Sequence, residues 1–284
     1  MPELPEVETI RRDLDAKLRG ARVRQVEVRL AKITSPKGRE FVKKLRGTRI
    51  REVKRRAKLL ALVLNKGIIL IHLKMTGQLV LRHHQQIIFG GHTIVGAHEL
   101  PNKYTHVIFY FTNGDELYFN DLRQFGYLKL MTSAAAQKIL DEYGLEPLSR
   151  DFTLEKFAEI LKKRRSGKLK SVLMDQSLFA GIGNIYADES CFLARVRPAR
   201  RAPSLNRKEL RALWLAIKSV LKLSIKHRGT SFNTYVDSQG QAGNFVKYLK
   251  VYGRGGEPCK VCGTILKRTV LAGRGTVYCP KCQH

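Results

Sequence analysis

The spacing of apolar residues changes several times along the chain. Val7, Ile10, Leu14 and Leu18 recur at helical spacing and share one face. Pro5 suits a first helical turn, Glu6 and Glu8 favour its positive end, and Gly20 stops it, so the pattern predicts a helix over 5–19. Val26, Val28 and Leu30 then alternate with polar residues, as in a half-buried strand. "LLALVLNKGIILIHL" reads as two strands around Asn65-Lys66-Gly67, and "HVIFYFTNGDELYFND" as a hairpin turning at Asn113-Gly114. The first half is therefore mainly antiparallel β with the opening helix packed on it. Between these strands, "HHQQIIFGGHTIVGAHELPN" reads as a long loop, and its histidine spacings fit no metal-ligand pattern.

Beyond residue 131 the β character fades. "TSAAAQKILDEYGLEPLSRD" reads as a linker with some helix. From Thr153, Leu154, Phe157, Ile160 and Leu161 form one apolar face, and a longer helix is predicted over 207–226 with Leu210, Trp214, Ile217 and Leu221 inward. Residues 230–245, rich in Gly, Ser, Asn and Gln, read as a mobile loop. No internal repeat stands out. The whole is of α+β class with room for two domains.

Charge adds a partner. The 284 residues carry 53 Lys and Arg against 24 Asp and Glu, a formal charge of +29. Residues 1–150 carry a net +12 and the remainder +17, so no detachable tail holds the excess. A folded chain this basic points to a polyanion, nucleic acid first. An acidic membrane surface is the weaker reading, because no basic amphipathic helix with a broad apolar face accompanies it. No apolar run approaches a membrane span, and the acidic opening lacks a signal-peptide core, so a cytoplasmic protein is expected.

Four of the five cysteines form two knuckles, Cys259-x2-Cys262 and Cys279-x2-Cys282. Two short knuckles supplying four thiolates predict one structural Zn2+, in preference to disulfides. Lone Cys191 is expected to be buried in a helix.

The opening, "MPELPEVETI", carries the candidate chemistry. Trimming of Met1 before the small Pro2 would leave a terminal secondary amine, a nucleophile whose adduct with an aldehyde is a cationic iminium. Helix-start N–H groups push that amine towards neutrality, whereas Glu3 and Glu6 favour its cation, and the sequence leaves the balance open. Glu3 stands beside it as a proton relay. Gly181, Gly183 and Asn184 precede a helix whose free N–H groups would suit a phosphate. On pattern alone, Met75 and Phe125 are core residues and "KKRR" (162–165) is a solvated face.

The opening, "RRAKLL", "HLKMTG", "DLRQFG", "AGIGNIYADE", "VYGRGGEPC" and "AGRGTVYC" occur in an order that resembles the formamidopyrimidine-DNA glycosylase family over essentially the full length. That resemblance implies an N-terminal antiparallel β-sandwich with flanking helices (1–132) and a linker (133–150). A helix–two-turn–helix domain (151–245) and a zinc-ribbon hairpin (246–284) would follow. It implies a monomeric repair enzyme acting on double-stranded DNA with oxidised purines, 8-oxoguanine and formamidopyrimidines, as glycosylase and AP lyase. Pro2 would attack C1′, Glu3 would be the proton donor, Lys58 would serve β-elimination or hold a phosphate, and Arg274 would serve δ-elimination. Met75, Arg123 and Phe125 would fill the gap left by the extruded base, reversing the core reading. Lys170 and Asn184 would contact DNA, and Tyr104 stands where the family commonly has a His. Gln124, Ser166 and the long 83–102 segment depart from the pattern. The rival readings are the related endonuclease eight group, which prefers oxidised pyrimidines, and a zinc-ribbon nucleic-acid-binding protein without chemistry.

Overall fold

The computed structural model describes residues 1–84, 86–91, 99–164, 166–230 and 245–284. Its contacts divide into two compact units. One comprises Met1–Asp141 with His227–Val246, the other Glu142–Lys226 with Lys247–His284.

The first unit is a two-sheet sandwich. Helix α1 (Leu4–Leu18) leads into β1 (Val23–Val28) and β2 (Thr34–Ser35), and α2 (Arg39–Leu45) precedes β3 (Ile50–Arg56). Then follow β4 (Leu59–Leu64), β5 (Ile68–His72), β6 (Gly77–His83), β7 (Gln86–Gly91), β8 (Thr105–Phe111), β9 (Glu116–Asp121), β10 (Tyr127–Met131) and α3 (Ser133–Asp141). One sheet has the order β1-β8-β9-β6-β7 and the other β2-β10-β5-β4-β3; every pairing is antiparallel except β2–β10. Leu60, Leu62 and Leu64 of one sheet and Leu79, Leu81, Phe109 and Phe119 of the other meet in a common core, which the α1 face of Val7, Ile10, Leu14 and Leu18 closes. The unbroken apolar run of β4 has a cause: its opposite face is covered too, with Ala61 and Leu70 packing on Ala136 of α3. Thus α3, read as linker, belongs to the sandwich unit.

Two elements differ from the sequence reading. Part of the expected 83–102 loop is a strand: β7 pairs with β6 from His83↔Gln86 to Gln78↔Gly91. Its consecutive Ile87, Ile88 and Phe89, followed by paired glycines, lack the alternation that marks an edge strand. Helix α2 was also missed, because a seven-residue helix with only Phe41 and Leu45 buried carries too little periodicity.

The second unit holds α4 (Leu154–Lys163), α5 (Leu169–Met174), α6 (Asn184–Leu193) and α7 (Arg207–Lys226), then the hairpin β11 (Lys267–Leu271) and β12 (Arg274–Tyr278). Phe152, Phe157, Phe179 and Trp214 form an aromatic cluster with centroids 5.3–6.4 Å apart. Trp214 also donates Nε1–H to the Phe152 carbonyl at 2.9 Å. Helix α6 is buried from Ile185 to Phe192, which explains its weak amphipathicity. The ribbon packs on it, with Phe192 joining Val251, Leu266, Val277, Cys259 and Cys279. No helix of the described residues is long and apolar enough to cross a membrane.

Candidate active site

Glu3 is the N-cap of α1 and forms a reciprocal capping box with Glu6; its backbone N–H donates to Glu6 Oε2 at 2.9 Å. The other oxygen of Glu6 accepts from Thr230 N (2.8 Å) and Thr230 Oγ1 (3.0 Å). Gly229, at φ 88°, lies so close that a Cβ there would stand 2.8 Å from Glu6 Oε1. The backbone of Phe245 returns to Gly229 O at 3.2 Å. The expected loop over 230–245 lies, from 231 to 244, outside the described residues.

Burial pushes the pKa of the terminal amino group below its ordinary value, and the Lys58 ammonium adds to this, against the pull of Glu3 and Glu6. The balance left open by the sequence thus falls towards the neutral amine at Met1, one residue before Pro2. Lys58 is itself buried, in the two-residue turn between β3 and β4 where Arg56 pairs with Leu59. Its neighbour Ala57 holds φ 53°, a left-handed backbone costing a β-carbon residue about 1–2 kcal/mol.

His72, which the sequence reading passed over inside "HLKMTG", ends β5 beside this turn. Its Nδ1 accepts from Lys74 N at 2.9 Å, leaving Nε2 to carry the proton. Burial, then Lys74 and Lys58, push its pKa down to about 3, so the ring is neutral at pH 7.

Asp121, at the end of β9 and fully buried, organises the proposed wedge. Its Oδ1 accepts from Thr76 Oγ1 and from Arg123 N (3.2 Å), and its Oδ2 from Gly126 N (2.7 Å). One carboxylate therefore ties the turn bearing Met75 to the loop bearing Arg123 and Phe125. Met75 is 40% and Phe125 55% exposed, so neither is a core residue, and the Arg123 guanidinium lies 4.8 Å from the Phe125 ring centroid. The Tyr104 carbonyl accepts from Asp121 N at 3.0 Å, which places Tyr104 beside this loop. His106, the histidine of "KYTH", is turned into the core, its Nε2 2.8 Å from Asp121 O.

In the second unit the expected DNA contact at Lys170 is not available. Lys170 is 1% exposed, and its ammonium reaches Asp188 Oδ1 (2.8 Å), Gly275 O (2.9 Å) and Thr276 Oγ1 (2.8 Å). All three donors are spent internally, so Lys170 anchors the β11–β12 hairpin instead of a phosphate. Asn184, the first residue of α6, donates Nδ2–H to the same Gly275 carbonyl at 3.2 Å, and its Oδ1 has no hydrogen-bond partner among the described residues. Asn184, Asp188, Tyr252, Gly253, Arg268 and Gly275 line a cavity of about 250 Å3 at this helix start. Burial pushes the Asp188 carboxyl up to about 7 against the pull of Lys170. Glu189 accepts the backbone N–H of Lys250, Val251 and Tyr252 at 2.8–2.9 Å, and Asp188 Oδ2 that of Val277 at 3.1 Å. Consecutive acids in "YADES" thus hold the ribbon in place, a role no sequence motif announced. Arg274 is exposed at the hairpin tip, after Ala272 (φ 48°) and Gly273 (φ 71°).

The four ribbon cysteines place their Sγ atoms within 4.8 Å of one another, with 262–279 at 3.5 Å and 259–282 at 4.0 Å. A tetrahedral Zn–S4 centre with bonds of about 2.3 Å requires S···S of about 3.8 Å, so the set fits one Zn2+. Cys191 is fully buried, and burial pushes its thiol pKa up.

A β-sandwich led by a capped helix, a helical unit and a four-cysteine ribbon define a strongly basic zinc-finger protein. Residues 1–128 match the formamidopyrimidine-DNA glycosylase N-terminal domain, 143–236 its H2TH domain, and 256–284 the zinc finger found in FPG and IleRS. The chain is 45% identical to the formamidopyrimidine-DNA glycosylase of Heliobacterium modesticaldum, with 100% of both chains covered, and 42% identical to that of Pelotomaculum thermopropionicum, with 100% and 99% covered. Among solved structures it is similar to Lactococcus lactis Fpg in complex with DNA containing an abasic site (32% identity, TM-score 0.87, 99% of each chain). It is also similar to MutM in complex with DNA containing carbocyclic 8-oxo-G (31%, TM-score 0.86, 100% of each chain). The chain belongs to the formamidopyrimidine-DNA glycosylase family.

Proposed function

We propose that this protein is a bifunctional DNA glycosylase and AP lyase of base excision repair acting on oxidised purines in duplex DNA. The observation that carries the reading is the amino terminus, held at the start of α1 among Glu3, Glu6 and Lys58 with its amine kept below its ordinary pKa by burial. Removal of Met1 exposes the Pro2 secondary amine here, where the burial that lowers the Met1 amine favours the unprotonated, nucleophilic form.

The Pro2 nitrogen attacks C1′, the bond from C1′ to the base breaks, and the proton shed by that nitrogen leaves on the base. Glu3 delivers a proton to O4′ as the sugar ring opens, giving a C1′ iminium on Pro2. The iminium acidifies the 2′ carbon. Loss of that proton expels the 3′ phosphate, and a second elimination expels the 5′ phosphate. Lys58 serves the first elimination and steadies a phosphate, and Arg274 serves the second. Met75, Arg123 and Phe125 occupy the place of the extruded nucleotide, with the flexible Met filling space and Arg123 hydrogen-bonding the orphaned base. Asn184 and the N–H groups opening α6 take a backbone phosphate, and Tyr104 adds a contact beside the wedge. The zinc ion, held by Cys259, Cys262, Cys279 and Cys282, is structural.

The test is a duplex holding a single 8-oxoguanine, incubated with the protein and borohydride. A covalent adduct is expected, mapped by peptide mass to residue 2 and absent from protein that retains Met1. Wild-type protein giving neither adduct nor strand scission would leave only the reading as a DNA-binding zinc protein. A parallel duplex with an oxidised pyrimidine is expected to react more slowly; the reverse order would assign the pyrimidine branch.

A further inference from the structure

The sequence contains one short motif twice. "LRGARVRQV" (18–26) and "LRGTRIREV" (45–53) share Leu-Arg-Gly-x-Arg-β-branched-Arg-x-Val, a similarity too brief to register as a repeat. Each copy follows a helix, α1 or α2, whose last residue, Leu18 or Leu45, is fully buried. Each Gly takes the left-handed turn out of that helix, Gly20 at φ 85° and Gly47 at φ 79°. The two copies then pair antiparallel. Gly20 N donates to Ile50 O (2.7 Å), Val23 N to Thr48 O (2.8 Å), and Gly47 N to Val23 O (2.8 Å).

This pairing puts Arg22 directly opposite Arg49, a like-charge cross-strand pair that works against stability. The last arginine of each copy is the extra residue where the strand register shifts, Arg24 between Val23 and Gln25 and Arg51 between Ile50 and Glu52. Bulges of this kind re-aim a side chain. Arg22, Arg24, Arg46, Arg49 and Arg51 are all exposed. Among the described residues none of the five forms an ion pair; Arg22 donates only to Gly47 O, at 3.3 Å. Two acids on the same elements are engaged by other cations, Asp15 of α1 by Arg19 and Glu52 of β3 by Lys54, each at 2.7 Å. The β3 strand, seven residues long, runs from this patch to the Lys58 turn, a separation of about 20 Å at roughly 3.3 Å per residue.

We propose that this paired-arginine pole binds a second duplex segment, so that the protein bridges two stretches of nucleic acid. Five guanidiniums outside any ion pair present planar forks suited to phosphate oxygens. The patch has no exposed large apolar side chain; those of the described residues lie elsewhere, at positions such as Met75, Phe125, Leu215 and Val261. A protein partner would need a buried anchor, and a bilayer would offer a patch with nothing to insert only its headgroup charge, whereas a duplex meets the forks with a denser row of phosphates. The proposal is independent of the Pro2 chemistry.

The test uses full-length wild-type protein, undamaged duplex on beads and a second, fluorescent undamaged duplex in solution. The comparison protein carries Arg22→Gln, Arg24→Gln, Arg49→Gln and Arg51→Gln together. Wild type is expected to retain the second duplex at low salt and the glutamine variant to lose at least tenfold of that capture. Excision of a lesion from a duplex too short to reach both poles should stay within twofold. The corresponding fourfold Arg→Lys protein should keep capture within threefold, and the glutamine protein should melt about 1–2 °C higher as the Arg22–Arg49 repulsion is lost. Equal capture by wild type and the glutamine protein overturns the proposal, as does a wild type that captures nothing. Loss of binding to phosphatidylglycerol vesicles in the glutamine protein, with duplex capture intact, would assign the pole to a membrane surface instead.

Discussion

The carboxylate of Asp121 reaches donors on two separate segments, and this makes Thr76 a test of how the wedge is set. Thr76→Val deletes the hydroxyl that links the Met75 turn to Asp121 and leaves a buried carboxylate short of a donor, costing about 1–3 kcal/mol. Excision of 8-oxoguanine from duplex DNA is expected to slow at least tenfold, while Thr76→Ser, which keeps the hydroxyl, stays within threefold. Cleavage of a preformed abasic site, where no base is extruded, should fall less, and an equal fall in both reactions would reduce Thr76 to a packing residue. His72 gives a second prediction. Its pKa is about 3 in the fold against an ordinary 6.5, so between these values the unfolded chain binds the proton and the native ring does not. Its contribution to stability is complete above pH 6.5 and declines as pH falls towards 3, by up to about 1.4 kcal/mol per pH unit. Urea unfolding of His72→Asn should show a flatter pH dependence than wild type across that window. Neither residue was legible beforehand, because a buried Asp, Thr or His inside a strand-and-turn motif has the same spacing whether it packs, positions or reacts.

At the scale of elements, periodicity served well where one face of a helix or strand is buried. α1 and α7, the β4–β5 pair and the Asn113-Gly114 hairpin lie within about a residue of their expected bounds. It failed where burial has no simple period, at β7 and in the seven residues of α2. It also could not see that Lys170 points inward, because a lysine on a short helix ordinarily faces water. The Lys170–Asp188 pair carries the third prediction. Lys170→Ala leaves a buried carboxylate without its cation and should destabilise the second unit by about 3–5 kcal/mol. Adding Asp188→Asn removes the stranded charge and should recover part of that loss in thermal unfolding, whereas two additive losses would show that the pair is not coupled. Because the same ammonium holds Gly275, next to Arg274, the single variant should also weaken δ-elimination more than base release.

For the molecule as a whole, the cysteine spacing and the charge were the most legible signals, since both are set by composition and short-range spacing. The placement of the ribbon was not, since it depends on Glu189, Asp188 and Phe192 from a helix about 70 residues earlier in the chain. Chelation of zinc is therefore expected to loosen α6 along with the ribbon, read as new protease cuts in both, while the sandwich keeps its near-ultraviolet circular dichroism. Protection of α6 after complete metal removal would contradict the shared core. The junction where Phe245 meets Gly229, with Glu6 gripping Thr230, has a historical consequence. A stretch of chain that leaves and re-enters its host at one clasped point can be lengthened, shortened or rewritten by evolution without reshaping the scaffold. The Glu3–Glu6 capping box that opens α1 would pass through such edits unaltered.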